Sequence, residues 1–233
     1  MSPRVEIDPD GDVLLCLFQT QSLEGTTDEN TGGKKKRIRE LVVSSKVLSL
    51  ASPVFKAMFC GNFKESIELA VKKTSLEPTS LEPYGISLPE DDADATTILC
   101  RVLHYKIDEI PEKPTTICLE KLAFLSDKYQ CVNALMYSGS LWLRNWLRVH
   151  ETKKMSMDDL CRLLIFAYVI DLPYEFVCIS WEIFLAHKGS LLGPSTQVVV
   201  LLDHPLLHED IARKTPISLI STKKQLTSHR RDK

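Results

Sequence analysis

The sequence predicts an α+β chain: a small sheet flanked by short helices, followed by an all-helical extension. Three observations lead there. Two apolar runs of strand length, 12–18 and 38–43, lie near the amino end. A helical hairpin punctuated by Ser52-Pro53 and Gly61 follows directly. From Asp94 to Gly189, apolar residues recur mainly at three- and four-residue spacing.

In chain order, Asp12 to Phe18 suits a strand, and Gln19 to Gly33 is polar, aperiodic and reads as a loop. Lys34-Lys35-Lys36-Arg37 closes that loop, and Ile38 to Val43 returns as a second strand whose alternation is weakened by Leu41 and Val43. The pair forms a hairpin with a long tip, so its register must come from packing rather than from a tight turn. Val42 to Ser66 reads as a strand end, a short helix, a corner and a second short helix. Ser52 offers a hydroxyl to the orphan amides of a helix start, and Pro53 suits the first helical position because its missing N–H costs nothing there. Val54, Phe55, Met58 and Phe59 fall on one stripe of that helix, and Gly61 is expected to stop it in a positive-φ conformation.

Lys64 to Tyr84 reads as a second polar insertion, a surface loop. It carries the tandem pentapeptides Thr74-Ser75-Leu76-Glu77-Pro78 and Thr79-Ser80-Leu81-Glu82-Pro83, whose prolines exclude a continuous helix and whose two copies are too few for a solenoid. A Pro-containing docking peptide is the alternative there. Asp94 is placed as the cap of a helix bearing Ala95, Ile98, Leu99, Val102 and Leu103. Pro111 and Pro114 impose an extended connection. Cys118, Leu122, Leu125 and Tyr129 mark the next helix, and Leu135, Leu141, Trp142 and Trp146 another. Ser138 to Leu147 is apolar on more than one face and is expected to be covered on two sides. Ser156-Met157-Asp158-Asp159 resembles a capping start for a helix through Tyr168. Asp171-Leu172-Pro173 ends that helix and opens another reaching Gly189. A further apolar run occupies 195–212, including Val198 to Leu202. From Arg213 the tail has seven basic residues and one acid, without apolar periodicity, and is expected to be disordered.

Composition is that of a globular protein, with 44% hydrophobic and 26% charged residues. A net charge of −2 provides no global field for nucleic acid. No run has the length of a membrane span, and Met1-Ser2-Pro3-Arg4-Val5-Glu6 lacks the apolar core of a secretory signal. Seven cysteines at irregular spacing, mostly inside apolar stretches, read as reduced and buried, in keeping with an intracellular location in cytoplasm or nucleus.

The residue patterns that could carry chemistry are few. Cys100 and His104 have zinc-ligand spacing on one helix face, but no second pair at short spacing accompanies them. Cys118 and Cys131 are too far apart, and Pro205 separates His204 from His208. Cys131 could be imagined as a thiol nucleophile, yet nothing local would lower its pKa. The glycines form no phosphate-binding pattern. Ser52 is explained by capping, and Glu90, Asp91 and Asp92 by the positive end of a helix dipole. Lys34 to Arg37 has nuclear-import composition, or is a solvated turn balancing the acidic loop before it. The basic tail lacks interleaved aromatics for base stacking. No catalytic, metal-ligating or cofactor-binding residue is expected, and no cofactor.

The helical hairpin resembles the signature of the BTB/POZ family, in which a strand leads into "V-L-x-x-x-S-x-x-F-x-x-M-F"; the matching residues are Val47, Leu48, Ser52, Phe55, Met58 and Phe59. Asp10-Gly11-Asp12-Val13-Leu14-Leu15 resembles that family's first strand. Leu88-Pro89-Glu90-Asp91-Asp92 resembles the loop before its third helix. Leu122 to Tyr129 with Cys131-Val132 resembles its "L-A-x-x-A-D-K-Y-x-C" passage. The similarity covers roughly 8–148 and is nearest to the fungal BTB-domain proteins. It implies a BTB/POZ domain over 1–148, within which the polar insertions near 19–37 and 64–85 fall, and a helical extension over 149–212; the basic tail read from composition occupies 213–233. It also implies two contact faces: a dimer face at Val13, Leu15, Val47 and Leu50, and a cullin-type face at Leu103, His104, Tyr105 and Lys106. Two positions depart from the pattern. Ser44 stands where a histidine often precedes "K-x-V-L", at the dimer face, and His104-Tyr105-Lys106 replaces the "Y-T-G" turn, at the cullin face.

Three functions follow as expectations. The first is a homo-oligomerising or scaffold protein that binds protein partners without catalysis. The second is a substrate adaptor of a cullin ubiquitin ligase. The third, of another class, is an enzyme using Cys100 with His104, or Cys131, as a metal or thiol centre. Membrane and nucleic-acid partners are not expected.

Overall fold

Eight α-helices and a four-stranded mixed sheet make up the described part of this computed structural model, which covers residues 3–20, 35–74, 82–186 and 204–206. The α+β class is therefore as the sequence predicts. The strands are β1 (Arg4–Glu6), β2 (Val13–Thr20), β3 (Lys35–Val43) and β4 (Tyr84–Leu88). The helices are α1 (Ser45–Ala51), α2 (Pro53–Cys60), α3 (Lys64–Thr74), α4 (Ala93–Leu103), α5 (Thr116–Lys128), α6 (Val132–Thr152), α7 (Met157–Val169) and α8 (Pro173–Ala186). Two compact units result: 1–111 with 125–135, and 112–124 with 136–233. The partition passes through α5 and α6, whereas the sequence suggests a boundary at 148/149, which lies inside α6.

In the first unit the sheet order is β1-β3-β2-β4. β2 and β3 pair antiparallel, Val13 opposite Val43 and Leu15 opposite Leu41, with a register shift between Leu17 and Phe18. β1 and β4 add parallel strands at the two edges. Packing sets this register, because Val13, Leu15, Leu17, Leu41, Val42 and Val43 are all buried. β4 shows a clean alternation, with Ile86 and Leu88 buried and Gly85 and Ser87 exposed. β1 is absent from the sequence reading, since three residues are too few to show a period.

The stretch Lys64 to Tyr84 is not the single polar loop that the sequence suggests. Its first half is α3, a helix that buries Leu69, and Tyr84 opens β4. Only 75–81, the middle of the pentapeptide repeat, lies outside the described residues. So do 21–34 with Lys34, and most of the apolar run and tail beyond 187.

In the second unit, Ser156 caps α7, its hydroxyl accepting from the Asp159 amide at 3.1 Å, and Pro173 is the first residue of α8. Leu160, Leu163, Ile165, Phe166, Ile179 and Ile183 form the interior of this helix pair. Trp142 of α6 packs against Phe166, ring centroids 6.3 Å apart. Within α6, Ser138 to Leu147 is not covered all round: Trp142 and Leu143 are inside, but Leu141 stands exposed. Among the described residues, no helix is long and apolar enough to cross a membrane.

Candidate docking surface

The helical hairpin α1–α2 is built by its caps. Ser44 accepts from the Val47 amide, and Ser52 accepts from the Phe55 amide at 3.0 Å while donating its hydroxyl proton to the Tyr129 carbonyl at 2.5 Å. Pro53 occupies the first turn of α2. Gly61 ends α2 with φ −85°, so the positive φ inferred from sequence is wrong; a Cβ there would lie 2.3 Å from the Ala57 carbonyl oxygen, and that close approach requires the glycine.

Beneath the hairpin, Phe55 stacks on Tyr129 at 4.1 Å between centroids and on Phe59 at 5.8 Å. The Tyr129 hydroxyl donates to buried Asp91, which also accepts from Lys128 at 2.6 Å. The dipole role given to Asp91 from sequence is therefore replaced by a buried link. It is Asp92, not Asp94, that caps α4, accepting from the Asp94 and Ala95 amides. Sequence alone could not pair Asp91 with Lys128 and Tyr129, because the partners are far apart in the chain.

With its lower face anchored, the hairpin turns its other side outward. Leu50 is 81% exposed. An open groove of about 620 Å³ runs between α1 and α2, its lining including Leu50, Pro53, Phe59, Lys46, Lys56 and Cys60. A second groove of about 440 Å³, lined by Pro53, Val54, Met58 and Phe63, lies on the α3 side. Phe63, just before α3, and Ile67 and Val71 on it are exposed at four-residue steps. Reading this region as a polar loop hid that stripe, although its spacing is visible in the sequence.

The expected dimer and cullin faces fare unevenly. Val13 and Leu15 are fully buried on inner strand β2, so they cannot meet a partner; Val47 is half-buried and Leu50 open. Leu103 is likewise interior, because it closes the buried face of α4. Tyr105 is 84% exposed, at φ 58°, Lys106 is half-buried, and Ile107 beyond it is open. His104 is engaged on both nitrogens: Nε2 accepts the Ser44 N–H at 3.0 Å, and Nδ1–H donates to the Cys100 carbonyl at 2.8 Å. Burial pushes its pKa below the usual imidazole range. Neither nitrogen is left to bind a metal beside Cys100.

The thiols are equally occupied by burial, which pushes Cys100 up to about 12, Cys131 to about 11 and Cys161 to about 12. At neutral pH these remain protonated and poorly nucleophilic. Among the described residues no group of three or more His, Cys, Asp or Glu is arranged to hold a metal. Seven free cysteines are present; Cys16, Cys100, Cys131 and Cys161 are buried, but Cys60 is exposed and Cys118 and Cys178 are intermediate, contrary to the uniform burial suggested by sequence.

In the second unit a groove of about 840 Å³ between α6 and α8 has both signs of charge. Glu175 pairs with Arg144 at 3.1 Å, and Glu182 with His150 at 3.0 Å and Lys154 at 3.5 Å. The outer face of α8 leaves Tyr174, Val177, Trp181 and Leu185 open.

In comparisons with known proteins, no family model and no curated protein matches the chain.

Proposed function

We propose that this chain is a protein–protein docking or scaffold protein of the BTB/POZ type, acting by binding and without catalysis. The observation that supports this reading is the set of large apolar side chains left open on α1, on and just before α3, and just after α4 in the first unit: Leu50, Phe63, Ile67, Val71, Tyr105 and Ile107. Their helices are held from beneath by buried contacts, so they offer rigid apolar ridges. Such ridges, rimmed by lysines and glutamates, have the make-up of an interface centre and rim. Proximity labelling in cells tests the reading. The wild-type chain and a variant carrying Leu50→Asp, Ile67→Asp and Tyr105→Ala should label different neighbours, with specific neighbours lost in the variant. An unchanged set of neighbours overturns the proposal. Light scattering at micromolar concentration shows whether one of those partners is a second copy.

The cullin-adaptor reading draws on one observation, the pairing of exposed Tyr105 and Ile107 at the exit of α4. A purified cullin amino-terminal domain should bind the wild-type chain and lose affinity for Tyr105→Ala and Lys106→Glu. No binding to the wild type removes this reading.

A further inference from the structure

We infer that the α1–α2 groove seats an acidic, apolar-anchored peptide segment of a partner protein; the inference rests on the docking reading above and names the chemistry of its partner. The groove has an apolar lining in which Leu50 and Pro53 are exposed and Phe59 is buried, and it carries two cations, Lys46 on α1 and Lys56 on α2. Both lysines are exposed, and neither forms an ion pair with any described residue. No carboxylate lines the groove. Its hydroxyls are already committed: Ser45 donates to Asp12 at 2.6 Å and Ser49 to the Ser45 carbonyl at 2.7 Å. What remains for a ligand is apolar contact plus two uncompensated ammonium groups.

This sets the groove apart from the others. The α6–α8 groove contains carboxylates, with Glu182 in its lining already pairing His150 and Lys154 and with Arg144 held by Glu175, and the α2–α3 groove carries only Glu65 as a charged lining residue. An apolar side chain against that apolar lining, flanked by Asp or Glu facing Lys46 and Lys56, satisfies both features of the α1–α2 groove. A second copy fits less well. An isologous contact puts the same patch on both sides, so it would bring together two linings that each carry Lys46 and Lys56 and no carboxylate. A nucleic acid also fits less well, since the only aromatic ring in the lining, Phe59, is buried and offers no face for a base.

The test begins with random peptides displayed on phage and selected on the full chain. Enriched sequences are then synthesised and titrated by fluorescence anisotropy. The inference requires Asp or Glu flanking Leu, Ile or Phe. It also requires roughly tenfold or greater weakening on Lys46→Glu with Lys56→Glu, loss of affinity on Leu50→Ser, and weaker binding to the wild type at high salt. Because these side chains are exposed, circular dichroism and the melting temperature should stay at wild-type values. Neutral or basic peptides, or acidic ones indifferent to the two lysines, overturn the inference. Peptide binding lost on Ile67→Asp or Tyr105→Ala but not on the lysine reversal moves the site elsewhere and leaves the docking reading standing. A wild-type dimer split by Leu50→Asp, or lysine-dependent binding of an oligothymidylate in place of peptide, overturns the partner's chemistry alone. If no peptide is selected, the inference fails; the labelling comparison above then decides separately whether the docking reading fails with it.

Discussion

His104 joins two elements through one ring. Its Nε2 holds the Ser44 amide at the start of α1, and its Nδ1 proton holds the Cys100 carbonyl near the end of α4. Protonating Nε2 would turn an acceptor into a donor facing an N–H. Burial lowers the folded pKa below the 6.5 of a free imidazole. As pH falls through that value the unfolded chain takes up a proton that the folded chain refuses. Stability therefore drops with falling pH, until the lowered folded pKa is passed and the slope levels. The melting temperature of the wild type should fall as the pH drops below about 6.5. His104→Gln should melt lower at neutral pH but with a shallower pH dependence; buried His204, shifted the same way, remains in both proteins. Equal slopes in the two proteins would show that His104 is not the titrating link. The helix ends offer a second residue-scale prediction. Tyr105, Gln130 and Asp171 all have positive φ, and each stands where the chain leaves a helix through paired backbone bonds, such as Gln130 N–H to Asp127 O and Cys131 N–H to Ser126 O. A non-glycine residue there costs about 1 kcal/mol of conformational strain, part of which glycine gives back as unfolded-state entropy. Gln130→Gly should therefore stabilise by about 0.5 kcal/mol in chemical denaturation. At this scale the sequence was legible where the cause is local: the Ser52-Pro53 cap and the Ser156 cap follow from residue type alone. Gly61 was placed correctly for the wrong reason, because a crowded Cβ position and a positive φ both demand glycine and only coordinates separate them.

Among the elements, the α1–α2 hairpin was the most legible, since its caps, stripe and stop all lie within twenty residues of chain. β1 and α3 were the least. β1 is a three-residue strand recruited by β3, and nothing within it announces the pairing. α3 was obscured by the prolines of the repeat that follows it, although Leu69 turns inward and Phe63, Ile67 and Val71 outward at helical spacing. Two of the four residues of the candidate dimer face, Val13 and Leu15, lie inside for a related reason. An apolar strand residue reads the same whether it faces a partner or the interior, and only the sheet order places Val13 and Leu15 on an inner strand. The hairpin's two sides should separate cleanly in stability. Phe55, stacked between Tyr129 and Phe59, should cost about 3–5 kcal/mol when changed to Ala. Leu50→Ala should stay within about 0.5 kcal/mol of wild type, because little surface is lost on an exposed ridge. Urea titration of both variants reads the contrast. A costly Leu50→Ala would mean that the outer ridge is covered in solution, which light scattering would then assign to self-association or to another part of the chain.

At the scale of the molecule, the cysteines report on both units at once. Cys16, Cys100 and Cys131 are buried in the first, Cys161 is buried in the second, and Cys60 lies open on the hairpin. A buried thiol whose pKa is raised is protected twice, by lack of access and by lack of thiolate. Iodoacetamide followed by peptide mass spectrometry should therefore modify Cys60 first and Cys118 and Cys178 more slowly. The four buried thiols should react only as the chain opens. With increasing urea, Cys161 reads the opening of the second unit and Cys16, Cys100 and Cys131 that of the first, so the same labelling measures whether the two units unfold together. This measurement also bears on function. A thiol enzyme needs a cysteine that is both reachable and readily ionised, whereas a docking protein needs only surfaces. Cys100 or Cys131 reacting as fast as Cys60 in the native protein would bring back the enzymatic reading and count against the docking one. Native protection of both removes the thiol-centre reading that rests on Cys100 and Cys131.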